Sequence, residues 1–246
     1  MKGIRAVIFD LHGTLLLSDD VDAAWDRWAT AFHAELVRRG ATMPLKEFEA
    51  ALDSLYNDPE LIAKQPGLTL FERRVKGFCE HLGMEVPHSE LRLLVETIID
   101  VWHRDMYLDP EAIPLLKALR RRFKVGLITN WDHCPRMHRL VERLGLRSLL
   151  DDVVVSDDVG VSKPDSRIFR LALSRLGITA SSAVYVGDMG LDARGSLDAG
   201  MHSVLVRRGS RGNWASYSEA VDCGYDPEKV TTIEHLADLL PLLIDE

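Results

Sequence analysis

Cysteine is scarce in this chain, with only 3 residues among 246. The three are odd in number and lie far apart, so their spacing suits neither a zinc site nor a thiol redox pair. A chain of this length can also bury enough surface to hold a core without disulfides. We therefore expect reduced thiols, as in a cytoplasmic protein.

Long apolar runs are missing as well. No stretch approaches the roughly 18 consecutive apolar residues that a membrane-spanning helix requires. The apolar stretch that ends before Asp10 is shorter than the core of a signal peptide, which has about 7–15 residues. The sequence therefore predicts a soluble cytoplasmic protein that does not contact a membrane.

Basic residues are in the minority, with 30 Lys and Arg against 38 Asp and Glu and a net charge of −8. This balance argues against a nucleic-acid partner and against an anionic membrane surface. Apolar residues make up 46% and charged residues 28%, as in ordinary globular proteins. The composition thus excludes a disordered or fibrous chain.

Short apolar runs alternate with helical patterns over most of the chain, which is typical of an α/β fold with a mostly parallel sheet. The first run precedes a long helical stretch, and the others follow it. The predicted strands are Ala6–Phe9, Val125–Thr129, Val153–Val155, Ala183–Val186 and Ser203–Val206. A last helix is predicted over Glu234–Ile244.

Four helices without an intervening strand follow the first strand, which indicates a small helical bundle. They are predicted from about Asp20 to Arg39, from Pro44 to Tyr56, from the capping box at Thr69 to near Gly83, and from Ser89 to about Met106. A stretch this long is not a structureless loop. We therefore expect an α/β domain of residues 1–17 and 109–246, interrupted by a helical domain of residues 18–108.

Polar side chains follow the predicted strands. They are Asp10, His12 and Thr14 after the first strand, Thr129 and Asn130 at the second, Lys163 after the third, and Asp188 and Asp192 after the fourth. Ligands of open parallel sheets bind at the carboxyl ends of the strands. Carboxylates suit Mg²⁺, a hydroxyl and a lysine suit phosphoryl oxygens, and an aspartate can serve as a nucleophile.

Four motifs carry a resemblance to a known family. They are Asp10-Leu-His-Gly-Thr14, Leu127-Ile-Thr-Asn130, Lys163-Pro164 and Gly187-Asp188-Met-Gly-Leu-Asp192. In this order they resemble the haloacid dehalogenase-like (HAD) hydrolase superfamily. The helical insert after the first strand resembles the C1-type cap of its subfamily I. The resemblance implies a Rossmann-like, doubly wound parallel sheet with an inserted helical cap domain.

The resemblance also implies roles by position. Asp10 would be the nucleophile that accepts the phosphoryl group, and also a ligand of Mg²⁺. The backbone carbonyl of His12 and the carboxylate of Asp188 would be further ligands of the metal. Asp192 would contribute to the metal site, chiefly by orienting Asp188, a metal-bound water or Lys163.

The phosphoryl group and the rest of the substrate would meet a second set of residues. Thr129 and the backbone of Asn130 would hold the phosphoryl oxygens, and Lys163 would neutralise Asp10 and the charge that develops during the reaction. Thr14 is a further candidate for substrate binding, and so is Trp25 in the insert. The expected reaction is Mg²⁺-dependent hydrolysis of a small phosphorylated metabolite.

His12 departs from the family pattern, because phosphatases of the family place a second aspartate there as the acid and base. The reference pKa of histidine, about 6.5, suits proton transfer near neutrality. Four interpretations remain: a working acid and base, a slow phosphatase, a relative that acts on another bond, or a protein that binds without turnover.

Functions other than phosphate-ester hydrolysis depend on other features of the chain. Phosphonate-cleaving relatives use a cap lysine, and the insert contains Lys46, Lys64 and Lys76. Dehalogenases of the family lack the metal-binding carboxylates, which this chain keeps. The acidic insert is compatible instead with recruitment of a basic partner, and the cleft with a metabolite sensor.

Two further groups of residues lie near the expected site. Trp131 and Asp132 either lie at the edge of the site or begin the next helix. Arg207, Arg208 and Arg211 follow the last predicted strand. Contact with a substrate acid is possible there, but a surface loop is the expectation.

Overall fold

The computed structural model of the chain describes residues 1–57, 67–208 and 224–244, without the side chains of residues 53–57. It divides the chain into two compact units. One unit, called the α/β unit below, comprises Met1–Asp19 and Met106–Glu246. The other, called the helical unit, comprises Asp20–Asp105.

A six-stranded sheet forms the centre of the α/β unit. Its strands are β1 (Ala6–Phe9), β4 (Lys124–Thr129), β5 (Asp152–Val155), β6 (Ala183–Gly187), β7 (His202–Val206) and β8 (Val230–Ile233). They lie in the order β5-β4-β1-β6-β7-β8, and every neighbouring pair is parallel. The expected α/β class and its parallel sheet are thus confirmed.

Alternate residues of β1 face opposite sides of the sheet, as the period of a strand requires. Val7 and Phe9 belong to one buried apolar cluster, and Ala6 and Ile8 belong to another. Apolar side chains of helices complete both clusters. A strand buried on both faces therefore reads as a continuous apolar run, which is why these strands were visible in the sequence.

The helices of the α/β unit follow the expected alternation with strands. Within residues 1–19, 106–208 and 224–244 they are α5 (Ala112–Leu119), α6 (Cys134–Arg143), α7 (Ser156–Val159), α8 (Ser166–Leu176), α9 (Gly190–Asp198) and α10 (Leu239–Leu243). Gly177 ends α8 in the left-handed conformation that glycine favours.

The described part of the helical unit contains four α-helices, as expected. They are α1 (Val21–Arg38), α2 (Leu45–Asn57), α3 (Leu70–His81) and α4 (His88–Trp102). The capping box of Thr69 and Glu72 is present at the start of α3. Trp28 and Phe32 are fully buried, whereas Trp25 is 37% exposed. Among the described residues, no helix has the length and apolar character needed to cross a membrane.

Two expectations about secondary structure were wrong, and one strand of the sheet was missed. Ser89 does not cap α4, because that helix begins one residue earlier, after Pro87. The long last helix is instead a 3₁₀ turn at Leu236–Asp238 followed by the short α10. The strand β8 was missed, because two of the four residues in Val-Thr-Thr-Ile are polar and only Ile233 is buried at this edge of the sheet.

A small antiparallel ladder was also missed. The strands β2 (Leu16–Leu17) and β3 (Tyr107–Leu108) pair where the chain leaves the α/β unit and returns to it. Asp109 N donates to Leu15 O at 2.9 Å beside this ladder. Two-residue strands are too short to show any periodicity, and their pairing depends on contacts that are distant in sequence.

We predict that Gly195→Ala destabilises the fold. A Cβ at this position of α9 would lie 2.3 Å from the Phe169 ring and 2.6 Å from the carbonyl oxygen of Pro164. Alanine favours a helix by about 1 kcal/mol over glycine, but overpacking of a core costs about 1–3 kcal/mol. Because a backbone oxygen cannot rotate away, we expect an overpacking cost in the upper part of this range, about 2–3 kcal/mol, and hence a net loss of about 1–2 kcal/mol in the free energy of unfolding.

Urea denaturation followed by circular dichroism measures this loss. Asp198→Ala on the same helix is the control, because its side chain is exposed and loses only a surface ion pair with Arg194. A Gly195→Ala protein as stable as the wild type would show that α9 does not pack this closely.

Candidate active site

Three neighbouring strands bring the candidate residues together. Strand β1 lies between β4 and β6, and Phe9 pairs with both Leu127 and Val186. Asp10 follows β1, Thr129 ends β4, and Asp188 follows β6. The carboxyl ends of the three central strands therefore supply the first residues of the site, as the sequence predicted.

Three buried carboxylates form the centre of this site. Oxygen atoms of Asp10, Asp188 and Asp192 all lie within 4.8 Å of one another. The three residues are 5%, 4% and 1% exposed, respectively. Burial of several like charges is unfavourable unless cations compensate them.

Lys163 provides the cation that the structure describes among these carboxylates. Its Nζ donates to Asp10 Oδ1 at 2.5 Å, to Asp192 Oδ1 at 2.7 Å and to the hydroxyl of Tyr185 at 3.1 Å. An ammonium group has three N–H donors, so these bonds use all of them. The backbone of Lys163 is fixed as well, because Asn130 accepts from its N–H at 2.8 Å and donates to its carbonyl at 3.0 Å.

The electrostatics of the cluster reflect an excess of negative charge. Burial raises the pKa of Asp10 to about 6, against the lowering effect of Lys163. Burial also raises the pKa of Asp188 well above its ordinary value, and the carboxylates of Asp10 and Asp192 add to that shift. Burial by itself would lower the pKa of Lys163, but the same two carboxylates outweigh it and raise that pKa.

This arrangement fits a hard divalent cation. The donors are carboxylate oxygens without nitrogen or sulfur among them, which is the preference of Mg²⁺. The positive charge of Lys163 offsets one of the three carboxylate charges. A divalent cation would balance the other two. Asp192 already uses Oδ1 for Lys163 and Oδ2 for the N–H groups of Asp188 and Met189, so it is placed to orient its neighbours.

The turn after Asp10 packs directly against Asp188. Gly13 has a φ of +82°, and a Cβ there would lie 2.1 Å from Asp188 Oδ2. Glycine is therefore required at this position both for the backbone conformation and for the close approach. The hydroxyl of Thr14 donates to Asp188 Oδ1 at a long 3.4 Å, so Thr14 contacts a candidate metal ligand.

Thr129 presents a polar atom with nothing to bond. Its side-chain oxygen is buried and has no hydrogen-bond partner among the described residues. Buried hydroxyl groups are normally paired. An unpaired hydroxyl at the end of β4 suits an oxygen of a ligand, which agrees with the predicted role of Thr129 toward a phosphoryl group.

His12 is held by an aromatic neighbour. Its ring stacks on that of Trp131, with centroids 4.9 Å apart and planes 14° from parallel. The backbone N–H of Trp131 donates to Ser156 Oγ at 2.8 Å, which restrains the backbone from which the indole extends. The structure therefore favours the interpretation that Trp131 lies at the edge of the site.

Sequence reasoning missed one residue of the site and misjudged two others. Tyr185 is an interior residue of β6, and nothing in the local pattern separates it from an ordinary core tyrosine. Arg207 and Arg208 were expected on a free surface loop. Instead, both donate to backbone carbonyls of the site. Arg211 lies outside the described residues.

Other candidates lie in the helical unit. Trp25 on α1 packs against Trp28 and Trp102, with centroid distances of 5.0 and 6.4 Å. Lys76 pairs with Glu80 at 3.2 Å. Lys64 lies outside the described residues. The roles of Trp25 and of the insert's lysines stay predictions.

Comparison with known proteins agrees with this geometry. The family model described as "haloacid dehalogenase-like hydrolase" matches residues 4–200. A glyceraldehyde 3-phosphate phosphatase of Methanopyrus kandleri is 31% identical over 84% of this chain and 85% of its own length.

Solved structures show the same architecture. A 2-haloacid dehalogenase of Pseudomonas syringae pv. Tomato has a TM-score of 0.67 and 27% identity, covering 96% of each chain. The putative HAD hydrolase YfnB of Bacillus subtilis, solved bound to magnesium, has a TM-score of 0.62 and 20% identity, covering 98% of this chain and 99% of its own. With its motifs, its sheet and the match over residues 4–200, the chain belongs to the haloacid dehalogenase-like hydrolases.

Proposed function

We propose that the protein is a Mg²⁺-dependent phosphatase that hydrolyses a small phosphate monoester through an aspartyl-phosphate on Asp10. The observation that carries this function is the buried cluster of Asp10, Asp188 and Asp192 around Lys163. The site combines a nucleophile, carboxylates for a cation, and a fixed ammonium group for the developing charge.

The first half of the reaction transfers the phosphoryl group to the protein. A carboxylate oxygen of Asp10 attacks phosphorus, and the bond from phosphorus to the ester oxygen breaks. The departing oxygen takes a proton from the His12 imidazolium. Thr129 and the backbone of Asn130 hold the phosphoryl oxygens, while Lys163 keeps Asp10 in place.

The second half returns the protein to its starting state. Water attacks the phosphorus of the aspartyl-phosphate and gives its proton to His12, and the bond between Asp10 and phosphorus breaks. The products are inorganic phosphate and the alcohol, and one water is consumed.

The metal is assigned to the same cluster. Asp10, Asp188 and the carbonyl of His12 are its proposed ligands, with Asp192 beside them. Bound Mg²⁺ would supply charge neutralisation and polarise the phosphoryl oxygens. The fit depends on the excess of buried negative charge: burial, with a further contribution from the neighbouring carboxylates, raises the pKa values of Asp10 and Asp188.

The substrate class is a small phosphorylated metabolite. Support comes from the name of the relative in Methanopyrus kandleri, a glyceraldehyde 3-phosphate phosphatase at 31% identity. Residues 18–108 act as the cap domain in this scheme, and the partly exposed ring of Trp25 is its candidate substrate contact. Glyceraldehyde 3-phosphate and related triose phosphates are therefore the first esters to assay.

Dehalogenation is the second candidate, because a 2-haloacid dehalogenase shares the fold at 27% identity. The acidic cluster argues for the phosphatase. Halide departs without the aid of a metal, so dehalogenation gives no reason to bury Asp188 beside Asp10 and Asp192. Halide release from 2-chloropropionate distinguishes the two functions directly.

Asp10→Asn should reduce phosphatase activity by about 1,000-fold or more, because an amide is a poor nucleophile. The assay measures phosphate release from p-nitrophenyl phosphate and glyceraldehyde 3-phosphate, with Mg²⁺ and with EDTA. EDTA should abolish the activity of the wild type, and excess Mg²⁺ should restore it.

Asp198→Asn, at an exposed carboxylate of α9, is the matched control, and its activity should stay within about twofold of the wild type. Activity that survives Asp10→Asn would rule out the covalent route.

Mg²⁺ should stabilise the wild type against unfolding, by about 2.7 kcal/mol at a concentration 100-fold above its Kd. Asp188→Asn should remove this increment. In EDTA the same variant should be at least as stable as the wild type, because the ionised Asp188 is disfavoured by burial and by neighbouring carboxylates.

The raised pKa of Asp188 determines how the stability difference between Asp188→Asn and the wild type changes with pH. An acid whose pKa is higher in the folded than in the unfolded state costs stability above its unfolded pKa, and the cost disappears as the pH falls below that value. The difference between the variant and the wild type in EDTA should therefore shrink as the pH falls toward 4. Thermal unfolding at several pH values measures it. A Mg²⁺ increment that persists in Asp188→Asn would remove this residue from the metal site.

His12→Gln should discriminate between leaving groups. A nitrophenolate departs without a proton, whereas an alkoxide requires one. The variant should thus lose about 100-fold or more on glyceraldehyde 3-phosphate and much less on p-nitrophenyl phosphate. His12→Asp should keep activity on both. Equal losses of His12→Gln on the two esters would show that His12 does not protonate the leaving group.

A further inference from the structure

Two consecutive arginines follow β7 and reach two different loops of the site. Neighbouring side chains of an extended segment point in opposite directions. Arg207 Nη1 donates to the carbonyl of Asp188 at 3.0 Å. Arg208 donates to the turn after Asp10. One short segment thus contacts both loops that carry the proposed metal ligands.

Arg208 makes the more extensive set of contacts. Its Nη1 donates to Gly13 O at 2.8 Å, and its Nη2 donates to Thr14 O at 2.8 Å. Nη2 also donates to Asp109 Oδ2 at 2.9 Å. The side chains of Arg208 and Asp109 are only 11% and 9% exposed. Buried, charge-assisted bonds of this length are stronger than bonds between neutral groups.

The two carbonyls belong to the peptide groups that follow His12. Fixing them restrains the backbone next to the carbonyl of His12 and next to Gly13, which packs on Asp188. Asp109 is itself restrained, because its Oδ1 accepts from Glu111 N at 2.8 Å and its N–H donates to Leu15 O. Arg208 therefore connects the end of β7, the turn after β1 and the returning chain.

We propose that Arg208 is a positioning residue of the active site, which holds the turn after Asp10 in the geometry that binds Mg²⁺ and substrate phosphate. This role rests on the proposed phosphatase function, since it acts through the same turn. Arg208 does not touch the reacting atoms in this role. The side chain is required as a planar donor that spans two carbonyls and a carboxylate, a pattern that the single nitrogen of lysine does not reproduce.

Arg208→Lys and Arg208→Ala test this role, with Asp109→Asn as a milder third variant. We expect Arg208→Lys to bind Mg²⁺ about 10–100-fold more weakly, which is the usual effect of removing an outer contact of a metal ligand. Titration calorimetry with Mg²⁺ alone measures this without any turnover. Phosphatase assays should show kcat reduced by a similar factor at saturating Mg²⁺, and Asp109→Asn should lose less because it keeps both carbonyl contacts.

Chemical rescue separates positioning from simple stability. Guanidinium chloride at millimolar concentration should raise the phosphatase activity of Arg208→Ala at least tenfold, and methylammonium should not. Arg170→Ala is the matched control, because this exposed arginine donates to the carbonyl of Asp198 at the C-terminal end of α9 and not to the turn after Asp10. It should keep wild-type Mg²⁺ affinity and activity, and it should show no rescue.

Each result has a distinct meaning. Folded Arg208 variants with wild-type Mg²⁺ affinity and activity would overturn the positioning role and leave the phosphatase function intact. Loss of activity without guanidinium rescue and with unchanged Mg²⁺ affinity would also overturn it. A wild type that binds Mg²⁺ but releases no phosphate would instead overturn the phosphatase function, and the Mg²⁺ titrations would still test Arg208. If Arg208→Ala does not fold, Arg208→Lys and Asp109→Asn carry the test.

Discussion

The ammonium group of Lys163 is the interaction on which the rest of the site depends. Buried carboxylates in a group are unfavourable without a cation, and Lys163 contacts two of the three at 2.5 and 2.7 Å. Its own position requires Asn130 from the end of β4 and Tyr185 from β6. The cluster therefore requires β1, β4 and β6 to lie side by side, which ties the candidate site to the folding of the core.

Much of the fold could be predicted because the central strands are buried on both faces. Continuous apolar runs such as Ala6–Phe9 are unambiguous when Asp10 and Gly13 end them and helical patterns follow. The candidate site followed from one rule, that the carboxyl ends of parallel strands meet. Asp10, Thr129 and Asp188 come together for this reason alone, and no knowledge of side-chain packing was needed.

The remaining features depend on contacts that a local pattern does not contain. The roles of Arg207 and Arg208 are set by the carbonyls that they contact, and two consecutive arginines in another loop would be exposed to solvent. Tyr185 differs from a core tyrosine only by the presence of Lys163 at 3.1 Å. The stacking of His12 on Trp131 joins the segments that follow β1 and β4. Each of these is a tertiary contact between residues that are distant in sequence.

The ladder of Leu16–Leu17 with Tyr107–Leu108 bears on how this architecture can change over time. The two strands of this ladder lie on either side of residues 20–105 in the chain, so the helical unit is inserted at the point where a hairpin would have its turn. The entropy of closing a loop grows only slowly with its length. An insertion at such a point can therefore lengthen, shorten or be exchanged for another while the strands that hold the candidate site keep their register. The paired crossing thus lets the inserted helices evolve independently of the sheet that carries the candidate site.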